Sequence, residues 1–149
     1  MGVPSYFSYI IKNYANIIRD WSYFLQNQNF QFHHLFMDCN SIIYDAFYSL
    51  DLEEKSNLSI DDRIINKVCA HIRDYIDYIK PSKTLYISFD GVAPLAKMEQ
   101  QRTRRHRSKF LSDLKNNSVK WDTCAITPGT EFMRKLTSRI RYDFKEGYK

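Results

Sequence analysis

Apolar residues recur at helical spacing in several segments of this chain. The clearest pattern follows Ser59, which is suited to cap a helix, and it ends at Pro81. One continuous apolar stripe runs along this predicted helix. Its members are Ile60, Ile64, Ile65, Val68, Cys69, Ile72, Ile76 and Ile79. The same spacing predicts an earlier helix, capped by Ser5 and running to about Leu25.

Two short apolar runs between the helical segments predict buried strands. HHLFMD, residues 33 to 38, ends in Asp38, and TLYISFD, residues 84 to 90, ends in Asp90. NSIIYDAFYSL follows the first run and predicts a helix with Asn40 as its cap. Because helices separate the strands along the chain, we expect parallel pairing in an α/β fold. In such sheets ligands bind beyond the carboxyl ends of the strands, so neighbouring strands would bring the two aspartates together.

Two further helices are predicted in the second half of the chain. Pro94 opens a strongly basic helix that continues to about Lys115. The last helix runs from about Pro128 to Phe144, with Thr127 and Pro128 as its cap and first turn. The backbone N–H groups at this start can bind a phosphate, although more often they only begin a helix.

The length of 149 residues suits one domain, and 44% of the residues are hydrophobic, enough for a core. The net charge of +5 is localised, since residues 97–109 carry six Lys and Arg side chains against the single acid Glu99. Residues 99–109 include no aliphatic or aromatic side chain, so this stretch cannot be anchored by burial. A charge run is usually a solvated helix face. The lack of balancing acids here favours an anionic partner, most commonly nucleic acid.

The two strand-end aspartates allow two interpretations. Carboxylates at one sheet edge repel each other unless a cation lies between them, and their hard oxygen atoms suit Mg²⁺ or Mn²⁺. Alternatively, each aspartate caps the loop or helix that follows, and the pattern alone slightly favours this interpretation. Tyr44 follows Asp38 by one and a half helical turns. It is suited to stack on a base, but the pattern alone favours a place in the core.

The cysteines and histidines indicate no metal or nucleophile site. Cys39, Cys69 and Cys124 have no CxxC spacing, and their odd number favours a reducing compartment. Cys39 is expected to be a buried thiol, and His33 and His34 are expected to be structural. No apolar run reaches 18 residues, so no membrane span is expected.

Four segments, in this order, closely resemble the beginning of the XRN family of 5′→3′ exoribonucleases. They are MGVPSYFSYIIKNYANII, LFMDCNSIIYDAF, SFDGVAPLAKMEQQRTRRHRSKF and CAITPGTEFMRKL. The resemblance covers nearly the whole chain, and its last two segments are long and specific. It implies that residues 1–149 are the amino-terminal part of an XRN-type catalytic domain. The implied fold is PIN-like and flap-nuclease-like, a parallel sheet flanked by helices that is incomplete at the C-terminal side.

The resemblance also implies functional residues. Asp38 and Asp90 match two metal-binding acids of the family, which use Mg²⁺ or Mn²⁺. The pocket for the 5′-monophosphate of single-stranded RNA is matched by four residues of the basic helix. These residues are Lys97, Gln101, Arg104 and Arg105. Such a pocket would exclude a cap or a triphosphate, and the metal would cut the bond that the bound phosphate positions.

Two departures from the family pattern affect the expected activity. The usual Gly-Ile-Ile-His is replaced by residues 41–44, Ser-Ile-Ile-Tyr, so Tyr44 can stack on the first base but cannot carry charge. The family's remaining metal acids, a Glu pair and then an Asp pair, lie beyond the equivalent of Lys149. We therefore expect a fragment or a truncated relative that is weak or inactive alone.

Two alternatives to a nuclease remain, a non-catalytic RNA 5′-end-binding module and a degenerate structural fragment. The sequence identifies no protein partner. It favours the cytoplasm over the nucleus, although the basic run RTRRHR can resemble a nuclear signal.

Overall fold

A computed structural model of the chain describes residues 3–14, 16–25, 30–51, 56–114 and 121–145. The chain divides into two compact units, Met1–Phe32 and His33–Lys149. The first unit contains helices α1 (Tyr6–Asn13) and α2 (Trp21–Leu25). The elements of the second unit are β1 (His34–Asp38), α3 (Asn40–Tyr48), α4 (Ile60–Ile79), β2 (Thr84–Ser88), α5 (Leu95–Leu114), a 3₁₀ helix (Thr123–Ala125) and α6 (Glu131–Asp143).

The single helix predicted from Ser5 to Leu25 is wrong, since the structure interrupts it. Tyr14 leaves helical geometry after α1, with φ −129° and ψ 75°. Asp20 then accepts a hydrogen bond from the Ser22 backbone N–H at 2.8 Å, which begins α2. Ser5 occupies the predicted cap position before α1, but it has a φ of 59° and its side chain forms no cap hydrogen bond.

The two strands form a parallel sheet, which confirms the predicted α/β class. The register pairs His34 with Thr84 and Asp38 with Ser88. The two strands therefore run in the same direction and end at the same edge. This common end is the carboxyl edge, where the sequence predicts the functional site.

The prediction of buried strands holds for one face of the sheet, and the other face is exposed. Met37 belongs to the core, and Leu35, Leu85 and Ile87 pack against it. Side chains alternate between the faces of a strand, so Phe36 and its register partner Tyr86 lie on the opposite face. Phe36 is 67% exposed and Tyr86 is 56% exposed.

The core lies between the buried face of the sheet and three helices. α3 packs on α4, and α4 packs on α6. The largest fully buried side chains come mainly from these helices and are Ile43, Ile64, Ile72, Leu136, Val68, Cys39 and Cys69. The predicted stripe of α4 therefore faces this core, as its periodicity indicates.

Polar contacts fix the helices around this core. The Trp121 indole N–H donates to the Asp61 carboxylate at 2.8 Å, so the side chain before the 3₁₀ helix is tied to the first turn of α4. The Asp143 carboxylate near the end of α6 pairs with Arg73 of α4 at 2.5 Å and with Arg139 at 3.0 Å. Its side chain is only 6% exposed, so this pairing is shielded from water.

Helix boundaries follow local capping chemistry. The prediction for α4 is confirmed, because Ser59 accepts from the Asp62 backbone N–H at 3.1 Å and Lys80 ends the helix in left-handed geometry. The predicted start of the last helix at Thr127 and Pro128 is wrong. Gly129 has a φ of 89°, which no right-handed helix accepts, and Thr130 caps α6 instead.

Candidate active site

The carboxyl edge of the sheet brings the segments of Asp38 and Asp90 together. Asp38 is the last residue of β1, and Asp90 lies two residues beyond β2. The Cys39 backbone N–H donates to the Ser88 carbonyl at 2.9 Å, which extends the pairing past Asp38. Asn40 then accepts from the Asp90 backbone N–H at 2.9 Å. The two strand ends are therefore neighbours, as predicted. A role of Asp38 and Asp90 in metal binding stays a prediction.

The bond from Asp90 also corrects the expected role of Asn40. Asn40 is the first residue of α3 and not its cap, because its side-chain oxygen is committed to the strand end across the edge. Cys39 occupies the cap position without a side-chain hydrogen bond. Asn40 thus links the first turn of α3 to the loop that carries Asp90.

Both aspartates are exposed, and their carboxylates have few protein partners. Within the described segments, Asp38 accepts one long contact, 3.5 Å, from the Asn40 backbone N–H, which is too distant for a firm cap. Among the described residues, the Asp90 carboxylate forms no hydrogen bond or ion pair. Neither side chain therefore serves as a strong helix or loop cap in this part of the chain.

The chemistry of this donor set fits a hard divalent cation. The two strand-end side chains offer carboxylate oxygens, the ligands that Mg²⁺ and Mn²⁺ prefer. Across residues 3–14, 16–25, 30–51, 56–114 and 121–145, no group of three or more His, Cys, Asp or Glu is placed to hold a metal ion. The described residues thus place two carboxylates, those of Asp38 and Asp90, on the strand-end segments of this edge.

A cavity of about 410 Å³ opens beside Asp90. Three segments line it, the loop after β2, one face of α5, and the turn before α6. The loop contributes Asp90, Gly91, Val92 and Ala93. The contribution of α5 is Met98, Gln101, Arg102 and His106. From the turn come Cys124, Ile126, Thr127 and Pro128.

The turn that forms the third wall is held by hydroxyl groups. Thr127 donates from its side chain to the Cys124 carbonyl at 2.6 Å. Thr130 donates to the carbonyls of Ala125 at 2.5 Å and Thr127 at 2.9 Å, and its oxygen accepts from the Met133 backbone N–H. These bonds connect the cap of α6 to the cavity wall, so the wall is preorganised by the helix behind it.

The four predicted phosphate-binding residues do not all occupy the same place in the structure. Gln101 lines the cavity that Asp90 also lines. Lys97 is exposed on the first turns of α5 and is not among the lining residues. Arg104 and Arg105 belong to α5, but their side chains lie outside the part that the structure describes.

Two cavity residues, Arg102 and His106, were not predicted. They follow Met98 at intervals of four residues, which places all three on one side of α5. Met98 is the last apolar residue before the charged run, and it marks the side of the helix that faces the cavity. That spacing was the signal in the sequence that could have identified them.

Asp38 borders a separate, smaller groove of about 270 Å³. Ser41 and Ile42 of α3 and Tyr75 of α4 line it together with the buried face of β1. Asp38 and Asp90 therefore border two different depressions.

Tyr44 lies on the outward side of α3. It is 37% exposed, whereas Ile42, Ile43, Ala46 and Phe47 of the same helix are buried. The core position that the pattern favoured is therefore wrong. The aromatic ring is accessible, and its stacking on a base stays a prediction.

The structure confirms Cys39 as a buried thiol. Burial, with a smaller contribution from the negative charge of Asp38, raises the pKa of this thiol to about 11. Such a thiol stays protonated at neutral pH and is a poor nucleophile. His33 contacts the Ser82 hydroxyl at 2.7 Å, in agreement with a structural role.

Sequence comparisons complete the description of the site. No helix in the described part of the chain is long and apolar enough to cross a membrane. The family described as "XRN 5'-3' exonuclease N-terminus" matches residues 1–149. With the parallel sheet, this match confirms the PIN-like α/β fold expected from the sequence.

Relatives from yeast and human match nearly the whole chain. The chain is 35% identical to 5'-3' exoribonuclease 1 of Saccharomyces cerevisiae, an alignment that covers 95% of the chain and 10% of the yeast protein. It is 32% identical to human 5'-3' exoribonuclease 1, with 95% of the chain and 9% of the human protein covered. Identity to yeast 5'-3' exoribonuclease 2 is 30%, with 95% and 18% covered. The chain thus spans from about a tenth to about a fifth of the length of these relatives, and it belongs to the XRN 5'-3' exonuclease N-terminus family.

Proposed function

We propose that this chain is the amino-terminal segment of a 5′→3′ exoribonuclease, which in the complete protein hydrolyses RNA from a 5′-monophosphate end with divalent metal ions. One observation carries the proposal. Asp90 is tied through Asn40 to the end of β1 and also lines the cavity that the basic helix α5 borders. A candidate metal ligand and a candidate phosphate-binding helix thus share one cavity.

Asp38 and Asp90 would hold Mg²⁺ or Mn²⁺ at the carboxyl edge. A bound ion of this kind activates water and stabilises the leaving oxygen of a phosphodiester. The Asn40 side chain fixes the backbone at Asp90, so it positions this carboxylate without contacting the substrate. Further acids are needed for a two-metal site, because the described residues offer only two carboxylates there.

The basic helix would hold the terminal phosphate of single-stranded RNA. The family resemblance assigns this role to Lys97, Gln101, Arg104 and Arg105. The position of Gln101 in the cavity of Asp90 supports the assignment. Guanidinium groups bind phosphate oxygens through two parallel hydrogen bonds, so arginines suit a terminal monophosphate. Tyr44 would stack on the first base, and its exposed ring permits this contact.

A non-catalytic RNA 5′-end-binding module is the second candidate. The cavity favours it, since Gln101 and Arg102 of α5 line it and recognition of an RNA end needs no metal ion. The same α5 residues would then recognise the RNA end, and no bond would be cut. The two candidates differ in metal-dependent cleavage and agree in end recognition.

A degradation assay on single-stranded RNA separates the candidates. The longest reading frame that contains this chain is expressed, and RNAs with 5′-monophosphate or 5′-hydroxyl ends are incubated with it in Mg²⁺ or in EDTA. The nuclease predicts Mg²⁺-dependent loss of the 5′-phosphorylated RNA that Asp38→Asn and Asp90→Asn each abolish. Binding of this RNA without cleavage would replace the nuclease with the binding module.

A further inference from the structure

The outward face of the sheet carries a row of exposed rings. Phe36 of β1 is 67% exposed, and its register partner Tyr86 of β2 is 56% exposed. Their ring centroids lie 5.8 Å apart. The His34 ring is also exposed and lies 6.2 Å from the Phe36 ring, tilted by 31°. His34, Phe36 and Tyr86 thus form one continuous surface, which we name the ring surface.

Packing within the described chain does not explain the ring surface. The opposite face of the same strands carries Met37, Leu85 and Ile87 and contacts the core. On the outward face, the rings leave apolar area in water, and its burial would contribute about 25 cal/mol per Å². Adjoining exposed apolar side chains of this kind mark an interaction surface more often than a random arrangement does.

We propose that the ring surface binds the bases of single-stranded RNA by stacking. The choice of RNA rests on the function proposed above. Aromatic side chains on the open face of a sheet stack successive bases in RNA-binding modules, because every base presents a flat π-face. Stacking does not require a terminal phosphate. The ring surface therefore holds internal nucleotides, a role separate from the end recognition proposed for α5.

The charges at the amino end of the sheet suit a polyanion. The turn between α4 and β2, residues 80–83, contains the exposed side chains of Lys80 and Lys83 and no acid. The Lys83 backbone N–H donates to the His33 carbonyl at 2.9 Å, which holds this turn against the start of β1. The two lysines attract the phosphates of a strand whose bases lie on the rings.

The carboxyl end of the same face carries Asp38. Side chains alternate along a strand, so Asp38 shares the outward face with His34 and Phe36. It lies two residues beyond Phe36, about 7 Å along the strand. Its charge repels phosphates, so the backbone of a bound RNA is drawn towards the lysine end. The ring surface therefore ends where the candidate active site begins, and RNA stacked on it reaches that edge.

Equilibrium binding of a short 5′-hydroxyl oligoadenylate to the 149-residue chain in EDTA tests this proposal. Phe36→Leu and Tyr86→Leu each remove a ring and keep an apolar side chain. Each should weaken binding about fivefold or more, the loss of one base–aromatic stack. Tyr86→Trp keeps a ring and should retain the affinity of the wild type. A strand of the same length with abasic sites in place of bases should bind weakly, and none of these variants should change its affinity.

Tyr142→Leu is the matched control. Tyr142 is 70% exposed on α6, so this variant loses a similarly exposed ring that is not on the sheet. Equal losses of affinity for Tyr142→Leu and for the two sheet variants would overturn the proposal. So would equal losses for oligoadenylate and the abasic strand, since these would show a contact to the phosphates alone. The exposure of all three side chains limits the effect on the fold, which circular dichroism checks.

A second copy of this chain is the other occupant that the experiment distinguishes. We expect a monomer in sedimentation equilibrium without RNA. A dimer that Phe36→Leu and Tyr86→Leu dissociate, and that oligoadenylate leaves intact, would overturn the proposal in favour of a protein interface. The RNA carries no 5′-phosphate and no metal is present. A protein that never cuts RNA would therefore refute the proposed nuclease and leave this binding result intact.

Discussion

Helices α4 and α5 have the same length, 20 residues each, but opposite relations to the rest of the molecule. α4 buries five side chains in the core, Ile64, Ile65, Val68, Cys69 and Ile72. None of the α5 side chains that the structure describes is buried. α4 packs closely on α3 and α6, whereas α5 contributes the basic wall of a cavity.

This difference shows that the residues of a helix can be explained either by packing or by a role outside the core. The residues of α4 are explained by folding, since its apolar stripe, its cap and its stop all serve packing. The basic residues of α5 have no such explanation, because they bury no apolar surface and repel one another. Their excess equals the net charge of the chain. We therefore propose that the charges of α5 serve a ligand, so variants of α4 should lose stability and variants of α5 should lose function.

The largest effect is expected at Asp90, which joins the carboxyl edge to the α5 cavity. Asp90→Asn keeps the shape and removes the charge, so RNA cleavage by the complete protein should fall by about 10³-fold, roughly 4 kcal/mol of barrier. The free energy of unfolding should change by less than about 0.5 kcal/mol. Asp77→Asn, which removes an exposed acid of α4, should leave cleavage unchanged. If Asp77→Asn reduced RNA cleavage as much as Asp90→Asn, the proposed catalytic role of Asp90 would be refuted.

The next effect concerns stability and lies in α4. Ile72 is fully buried, so Ile72→Ala should lower the free energy of unfolding by about 2–5 kcal/mol, measured by urea unfolding. Met98→Ala in α5 should cost about 0.5 kcal/mol or less, because this side chain is exposed. Equal costs would show that α5 is packed as tightly as α4, contrary to the comparison.

Features specified by neighbouring residues could be predicted from the sequence. The α4 helix was predicted with its Ser59 cap because both periodicity and capping are local. The adjacency of the strand ends that precede Asp90 and include Asp38 could be predicted because parallel strands end at a common edge. The break after α1 and the cap of α6 were missed. Tyr14 and Thr130 adopt their conformations in turns whose geometry the apolar pattern does not encode.

The candidate site was only partly predictable for a different reason. Helical spacing places Lys97 and Gln101 on the same side of α5, but it does not show which side of the helix faces the rest of the chain. That side is set by the turn that carries Ile126, which is remote in sequence. The spacing groups Arg102 and His106 with Met98, but the cavity was needed to show that this side of α5 lines it. The outward position of Tyr44 likewise depends on which side of α3 meets α4.

A third effect tests the charges of α5 that the family resemblance selects. Arg104→Ala or Arg105→Ala should weaken binding of 5′-monophosphorylated RNA by about 1.5–3 kcal/mol, the range for charge-assisted contacts. Binding of 5′-hydroxyl RNA should change much less, since it lacks the terminal phosphate. Arg141→Ala, an exposed charge of α6, serves as the control and should not distinguish the two RNAs. Equal losses for both RNA ends would make α5 a general phosphate-attracting surface.

The fourth effect is the pH dependence that the Cys69 thiol of α4 contributes. Burial, and then the negative charge of Asp143, raises the pKa of the Cys69 thiol from 9.0 to about 11. The folded state therefore holds this proton more tightly, so its stabilising contribution is complete below pH 9 and is lost as pH rises towards 11. Cys69→Ala lacks the titration, and its stability deficit relative to the wild type should shrink by about 2 kcal/mol across this window. Tyrosines titrate in both proteins and cancel in the difference. A constant deficit from pH 8 to pH 11 would contradict the raised pKa.

The smallest effect concerns the first turn of α4. Ser59 accepts a hydrogen bond from the Asp62 backbone N–H at 3.1 Å and donates to the Asp62 carboxylate at 2.6 Å, so one side chain satisfies an otherwise unpaired helix donor. Ser59→Ala should lower the free energy of unfolding by about 1 kcal/mol, and Ser59→Asp, which can still accept this bond, should retain most of the stability. Ser138→Ala, in the interior of α6 and exposed, is the control and should be neutral or slightly stabilising because alanine has the higher helix propensity. RNA binding should be unchanged in all three variants, since α4 acts through packing and α5 through charge. A Ser59→Ala variant that kept its stability but lost RNA binding would reverse the roles assigned to the two helices.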